Sequence, residues 1–257
     1  DNCDNCSVEG LTLDANIANR INDGTDQPAH NLRLRGCDNM TVSKVKIPSS
    51  MSDGIAIQKY NDDIPENLII EQVQIDNFWR SGISAINGMN LKFSQIIVKS
   101  NTVGALGGAI NIEKNTGELD SMYNMTITDC FFENLDNYSI QLSEKEFNTI
   151  NNVVIEKSTF KNNGGGIESG SSMLIKDCFF ENITGVYSGS DHAIIDIRNS
   201  DDALRLSVSV ENCVFRNSTA TGIYTNGLVD YSNVSRCQFS NIGIGTNNLV
   251  VNMYGDT

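Results

Sequence analysis

Positive charge is scarce in this sequence. Its 257 residues hold 18 Lys and Arg against 32 Asp and Glu, for a net charge of −14 and an isoelectric point near 4.4. A nucleic-acid backbone or an anionic membrane surface needs a basic face, so neither is an expected partner. A polyanionic sugar would be repelled too, unless cations or a local basic patch intervened. Runs of about 18 apolar residues and a charged-then-apolar leader are both missing, so neither a membrane span nor a signal peptide is expected. The opening "DNCDNC" has no initiator Met, as expected of a piece of a longer chain. Histidine occurs twice. Seven cysteines are an odd number and, in a chain this long, do not read as a disulfide framework. Cys3 and Cys6 have a metal-type spacing, yet no second pair or His follows at ligand spacing, so no zinc site is expected. P-loops, nucleophile elbows, zinc-protease helices and DNA-reading helices are absent. So is the 3.6-residue period of an amphipathic helix.

What is present is a phrase. "NMTITDCFFEN" stands at 124–134 and "SMLIKDCFFEN" at 172–182. Counting from Asn124, apolar or small residues fall at Ile127, Cys130 and Phe132, and an Asn at 134. The same offsets return from Asn152, Ser172, Ser207 and Tyr231, and more weakly from Asn5, Asn39, Asn67 and Asn90. Nine copies thus recur at intervals of 20 to 35 residues. Each is followed by a small residue and an alternating apolar run, such as "GIAIQ" at 54–58, "GAINIE" at 108–113, "GIES" at 166–169 and "AIIDI" at 193–197. Period-two alternation marks short strands.

A unit of roughly 25 residues with three short strands cannot bury its own apolar face, whereas stacking each unit on the next can. The expected fold is all-β: one single-stranded right-handed parallel β-helix of about nine coils, with three short parallel sheets, over residues 1–257. At ~4.8 Å per coil the rod is roughly 40 Å long. Inward positions must stack on like shapes, Ile on Ile, Phe on Phe, and Cys178, Cys213 and Cys237 in a buried small-residue column. Cys3 and Cys37 also share an offset and read either as a disulfide or as a thiol stack. The Asn ten residues on from the start of the phrase is expected to turn the chain.

The repeat resembles the right-handed parallel β-helix proteins of the pectin-lyase-like superfamily over nearly the whole chain. A sharper stretch, "NFWRSGISAINGMNLKFSQIIVKSNTVGALGGAINIEKN" at 77–115, is similar to a segment of bacterial and phage β-helix proteins. Arg80, Gly82, Ile83, Ser84, Asn101, Thr102, Gly104, Gly108, Ile112 and Glu113 carry that likeness, with Asn111 standing where the family has an acid. The resemblance implies a polysaccharide or other cell-surface glycan as partner. It also implies a tailspike-like depolymerase, hydrolase or lyase chemistry, an extracellular or virion-surface setting, and a side-by-side homotrimer. The Asp-Pro-His motif of mannuronan epimerases and an evident Lys/Arg pair of calcium-dependent lyases are missing. Glycan holding without cutting, and a purely structural shaft, are the alternatives.

Residues between the inward Ile positions of the glycine-led strands point outward. Down the rod they read Ala56, Ser84, Asn111, Gln141, Glu168, Asp196 and Tyr224. Glu168 and Asp196, one coil apart, would lie about 5 Å from each other, the separation of a retaining glycosidase's acid pair. Each would raise the other's proton affinity, as a general acid requires. Asp191 and His192 just precede that strand as further catalytic candidates. Glu113, Asn111, Gln141 and Tyr224 are candidate sugar contacts on the same face. Arg80 reads either as a contact for a substrate carboxylate or as an ion pair with Asp53. Trp79, the single tryptophan, reads either as a sugar-stacking ring or as a cap on the core beside Phe78. No cofactor is required; calcium would find hard oxygen ligands at Asp62, Asp63 or Asp201–Asp202.

Overall fold

In a computed structural model the described residues are 3–15, 30–101, 107–113, 122–143, 150–185, 193–198, 206–226, 229–243 and 251–253. Among them all regular structure is strand, arranged in three nine-stranded sheets. Every coil gives one strand to each sheet, and every pairing between coils is parallel. The first coil runs through Ser7–Glu9, Thr12–Asp14 and Leu32–Arg35; the last through Val229–Ser235, Gln238–Ile242 and Val251–Met253. We call the three faces sheets A, B and C in that order. The nine-coil parallel β-helix is the architecture the repeat demands, and the glycine-led runs are the strands of sheet C.

The repeated phrase is a packing instruction. Its fourth residue stacks in sheet A, where Ile127, Ile155, Ile175 and Val210 lie in register. Its ninth stacks in sheet B: the rings of Phe132, Phe160, Phe180, Phe215 and Phe239 lie 5.1, 4.5, 4.9 and 4.6 Å apart, centroid to centroid. Sheet C supplies an isoleucine column through Ile55, Ile83, Ile110, Ile140, Ile167, Ile195 and Ile223. The cysteine column exists as expected, with Cys178 and Cys213 buried. Cys3 and Cys37 are free thiols, so of the two readings of that pair the stack holds. Leu11 departs from the pattern. It is 47% exposed while its counterpart Val45 is buried, because it lies in the first coil, where no described coil stacks beyond it.

The corners are made by residues in the left-handed region, which Asn tolerates better than other residues with a side chain. Eleventh-place Asn77, Asn134, Asn162, Asn182, Asn217 and Asn241 have φ of 48–58°. First-place Asn39, Asn67, Asn90, Asn124 and Asn152 form a second such corner, and their amides donate in a ladder from coil to coil at 2.9–3.0 Å. The corner between sheets A and B was not legible. It uses Lys44, Gln72, Gln95, Asp129, Lys157, Asp177, Asn212 and Arg236, all at positive φ. There the backbone N–H donates to the next coil's carbonyl, as from Gln95 to Thr128 and from Asp129 to Glu156, which offsets the conformational cost.

Candidate functional site

The outward column of sheet C is in register as Arg33, Ala56, Ser84, Asn111, Gln141, Glu168, Asp196 and Tyr224. Outward does not mean exposed. Ala56, Ser84 and Asn111 are buried, while Gln141, Glu168 and Tyr224 are half-buried. Apart from the exposed Arg33 in the first coil, the surface that a ligand could touch in this column therefore begins at Gln141.

Glu168 and Asp196 are register partners in adjacent coils, but their surroundings differ sharply. Gln141 donates its amide to Glu168 Oε2 at 2.7 Å, and Glu168 keeps a face toward solvent. Asp196 is fully buried. Arg198, two residues on and so on the same strand face, donates to it from Nε at 2.9 Å and Nη2 at 2.7 Å. The Tyr138 hydroxyl, from two coils away, donates to its Oδ2 at 3.1 Å. Tyr138 can reach that far because Gly165 lies between them: a Cβ there would sit 2.4 Å from the tyrosine Cδ1. Burial, then the negative charges of Asp196 and Glu168, push the Tyr138 phenol well above its ordinary range, so it stays a donor. The hydrogen bond to Asp196 pushes the Arg198 guanidinium up in turn. Asp196 is thus a sequestered, neutralised carboxylate, and Glu168 the accessible one.

A second charged cluster lies nearer the first coil. Arg80 grips the fully buried Asp53 through Nε at 2.8 Å and Nη2 at 2.5 Å and approaches Ser84 Oγ at 3.5 Å. Of the two readings of Arg80, the structure has the ion pair. His30 Nδ1 lies 3.1 Å from Asp53 Oδ2 but outside hydrogen-bond geometry, and His30 Nε2 is buried without a hydrogen-bond partner. Trp79 is half-buried beside Phe78, which belongs to the core. Glu113 pairs with Ser143 in sheet C, but its side chain, like all of Asp191, His192, Asp201 and Asp202, lies outside the described residues. Asp62 and Asp63 line a cleft of about 390 Å³ with Asp4, Asp38 and Glu66. Among the described residues, no three His, Cys, Asp or Glu are placed to share a metal ion. The carboxylates of Asp4 and Asp38 instead accept backbone N–H groups of the next coil, at 3.3 and 2.9 Å.

The family model for the right handed beta helix region matches residues 1–180. The chain belongs to that family. Among solved structures, this β-helix resembles the tailspike protein gp49 of Acinetobacter baumannii bacteriophage Fri1, a capsular polysaccharide depolymerase, at 12% identity and a TM-score of 0.55. That match covers 95% of this chain and 45% of the tailspike. It resembles the catalytic domain of a GH87 alpha-1,3-glucanase, solved with nigerose, at 16% identity and a TM-score of 0.57, over 96% of this chain and 53% of the glucanase. The β-helix thus spans about half the length of either. No curated protein matches the chain.

Sequence reasoning missed Tyr138, Arg198 and His30. Two of them left a signal. Tyr138 occupies the place two ahead of the isoleucine where two other copies carry Gly108 and Gly165, and Arg198 follows Asp196 at the same-face spacing. His30 sits two ahead of Leu32, the repeat place of Asp53 in the next coil, but that place carries no common residue type from coil to coil.

Proposed function

We propose that this β-helix protein is a polysaccharide-acting protein of the tailspike-depolymerase type, holding a glycan along the outer face of sheet C between Gln141 and Tyr224, with Glu168 as its working acid. The observation that carries this reading is the contrast in the acid pair. Glu168 is accessible and oriented by Gln141, whereas Asp196 is buried and held by Arg198 and Tyr138. A nucleophile must touch the sugar, so Asp196 is not the covalent partner; held by Arg198 and Tyr138, it anchors the strand beneath Glu168. The second catalytic group comes from Asp191 or His192, which directly precede the strand of Asp196. Gln141 and Tyr224 flank the acid as sugar contacts, and Glu113 and Trp79 extend the contact toward the first coil, whereas the buried Asn111 does not reach it. The likeness to two glycan-related structures supports the substrate class, and an extracellular or virion-surface homotrimer is the setting that goes with it. Glycan holding without cleavage is the second reading, favoured by Glu168 being the one accessible acid of this column among the described residues.

A glycan-array screen of the purified protein followed by product analysis tests this. Shortened sugars that disappear in Glu168→Gln support hydrolysis by this acid. Unsaturated products would make the protein a lyase and overturn the Glu168 mechanism. Binding without products leaves recognition alone, and no binding removes the glycan reading altogether.

A further inference from the structure

Sheet B carries a second ordered surface that the sheet C site does not use. Along its outer face Asp76, Lys99, Glu133, Lys161, Glu181 and Arg216 are in register, alternating in sign at every coil. Beside them runs an apolar row, Ile97, Phe131, Thr159, Phe179 and Val214, of which Ile97 is exposed and the rest half-buried. Alternation of sign is what stacked parallel strands require, since like charges directly opposite destabilise a sheet. It does not explain the depth difference. The side chains of Lys99, Lys161 and Arg216 are 48, 39 and 46% exposed, while Glu133 and Glu181 are 21 and 14% exposed. The acids lie low and the cations stand above them.

Their contacts leave the cations able to bind. Lys99 is 4.0 Å from Glu133 and Lys161 4.0 Å from Glu181, too long for hydrogen bonds, so both ammonium groups keep donors. Arg216 gives Nε to Glu181 at 2.7 Å and stacks on Phe179 at 4.6 Å, as Lys99 does on Phe131 at 5.6 Å. The terminal nitrogens of Arg216 have no partner among the described residues. In a chain with only 18 basic residues this is a local basic stripe over aromatic rings. Its spacing is specific: the cations occur at every second coil, ~10 Å apart, and Phe131 and Phe179 occur at the coils between.

We propose that the outer face of sheet B binds an acidic polysaccharide in which one sugar ring in two carries a carboxylate. One coil step is close to the advance of one ring in an extended pyranose chain. Carboxylated rings then meet Lys99, Lys161 and Arg216, and neutral rings lie over the positions of Phe131 and Phe179. A polymer charged on every ring would set half its carboxylates above Glu133 and Glu181, where they are repelled. The net charge of −14 opposes any acidic ligand that misses this register.

The test is calorimetric titration with a hyaluronan decasaccharide, whose carboxylate falls on alternate rings, against polygalacturonate of equal length and neutral dextran. Hyaluronan should bind best, with affinity falling as salt rises. The double variant Lys161→Gln/Arg216→Gln should bind about tenfold more weakly, each exposed cation contributing roughly a factor of three. Its melting temperature should fall only slightly, because half-exposed pairs such as Arg216–Glu181 contribute little to stability. Glu168→Gln should bind hyaluronan as the parent does, which separates this face from the sheet C site. Equal binding of polygalacturonate, no binding of hyaluronan, or binding lost in Glu168→Gln but kept in the double variant would each overturn the proposal. So would self-association of the parent that the double variant abolishes, since the stripe would then be an interface between copies.

Discussion

Gly165 shows how one residue's missing side chain builds a site. Adding a methyl there would push the Tyr138 ring off its path to Asp196. Gly165→Ala should therefore cost about 1–3 kcal/mol in a denaturant melt. That cost should largely vanish in a Tyr138→Ala background, because the clash and the contact disappear together. A Gly165→Ala penalty that persists there would mean the backbone, not the ring, is the constraint. Cys130 gives a pH prediction at the same scale. Burial pushes its thiol up from the ordinary 9.0 to about 12. The folded protein thus holds that proton more tightly than the unfolded chain does. Its stabilising effect is complete below pH 9 and is lost as pH rises through about 12. Unfolding measured across pH 9–12 should fall off less steeply in Cys130→Ala than in the parent.

Between the residue and the rod stands the corner ladder. Asn90 donates to Asn67 at 2.9 Å, accepts from Asn124 at 2.9 Å, and has a φ of 54°. Asn90→Gly keeps the backbone freedom and loses the amide bonds, at roughly 1 kcal/mol. Asn90→Ala loses both and should cost about 1 kcal/mol more. Equal melting temperatures for the two variants would show that the backbone conformation contributes nothing. These corners also mark how far the sequence could be read. Stacked Phe and Ile columns were legible because a buried shape must repeat in every coil. The Asn corners were half legible, since Asn is one of few residues suited to a positive φ. The corner at Lys44, Gln72 and Gln95 was not, because inter-coil hydrogen bonds made by the backbone hold it whatever the side chain. The site followed the same rule. The outward column of Glu168 and Asp196 follows from strand alternation, but the burial of Asp196 depends on Arg198 and a tyrosine two coils away. No repeat offset encodes that contact.

For the whole molecule, the reach of Tyr138 to Asp196 apart, coils touch their neighbours, so stability is close to a sum of coil terms and interfaces between coils, and position along the rod sets the cost of a defect. Phe180 is fully buried, its ring 4.5 Å from Phe160 and 4.9 Å from Phe215. Truncation to Ala removes two stacking interfaces in the middle of the rod and should cost about 3–5 kcal/mol. Phe239 stacks on Phe215 at 4.6 Å, lies in the last coil and is half-buried. Phe239→Ala should cost roughly 1 kcal/mol, because it loses one interface in a coil already part-open to water. Hydrogen exchange separates a local defect from a global one. In Phe239→Ala protection should fall over residues 229–243 and hold elsewhere. In Phe180→Ala it should fall on both sides of the seventh coil, including the strands of Glu168 and Asp196. The seventh coil contains Asp196, so this packing defect should also loosen the Asp196–Arg198 pair beneath Glu168 and weaken the glycan binding proposed for sheet C, whereas the terminal defect should leave that binding intact. Uniform loss of protection in both variants would mean that the nine coils unfold as one unit and that the nearest-neighbour picture fails.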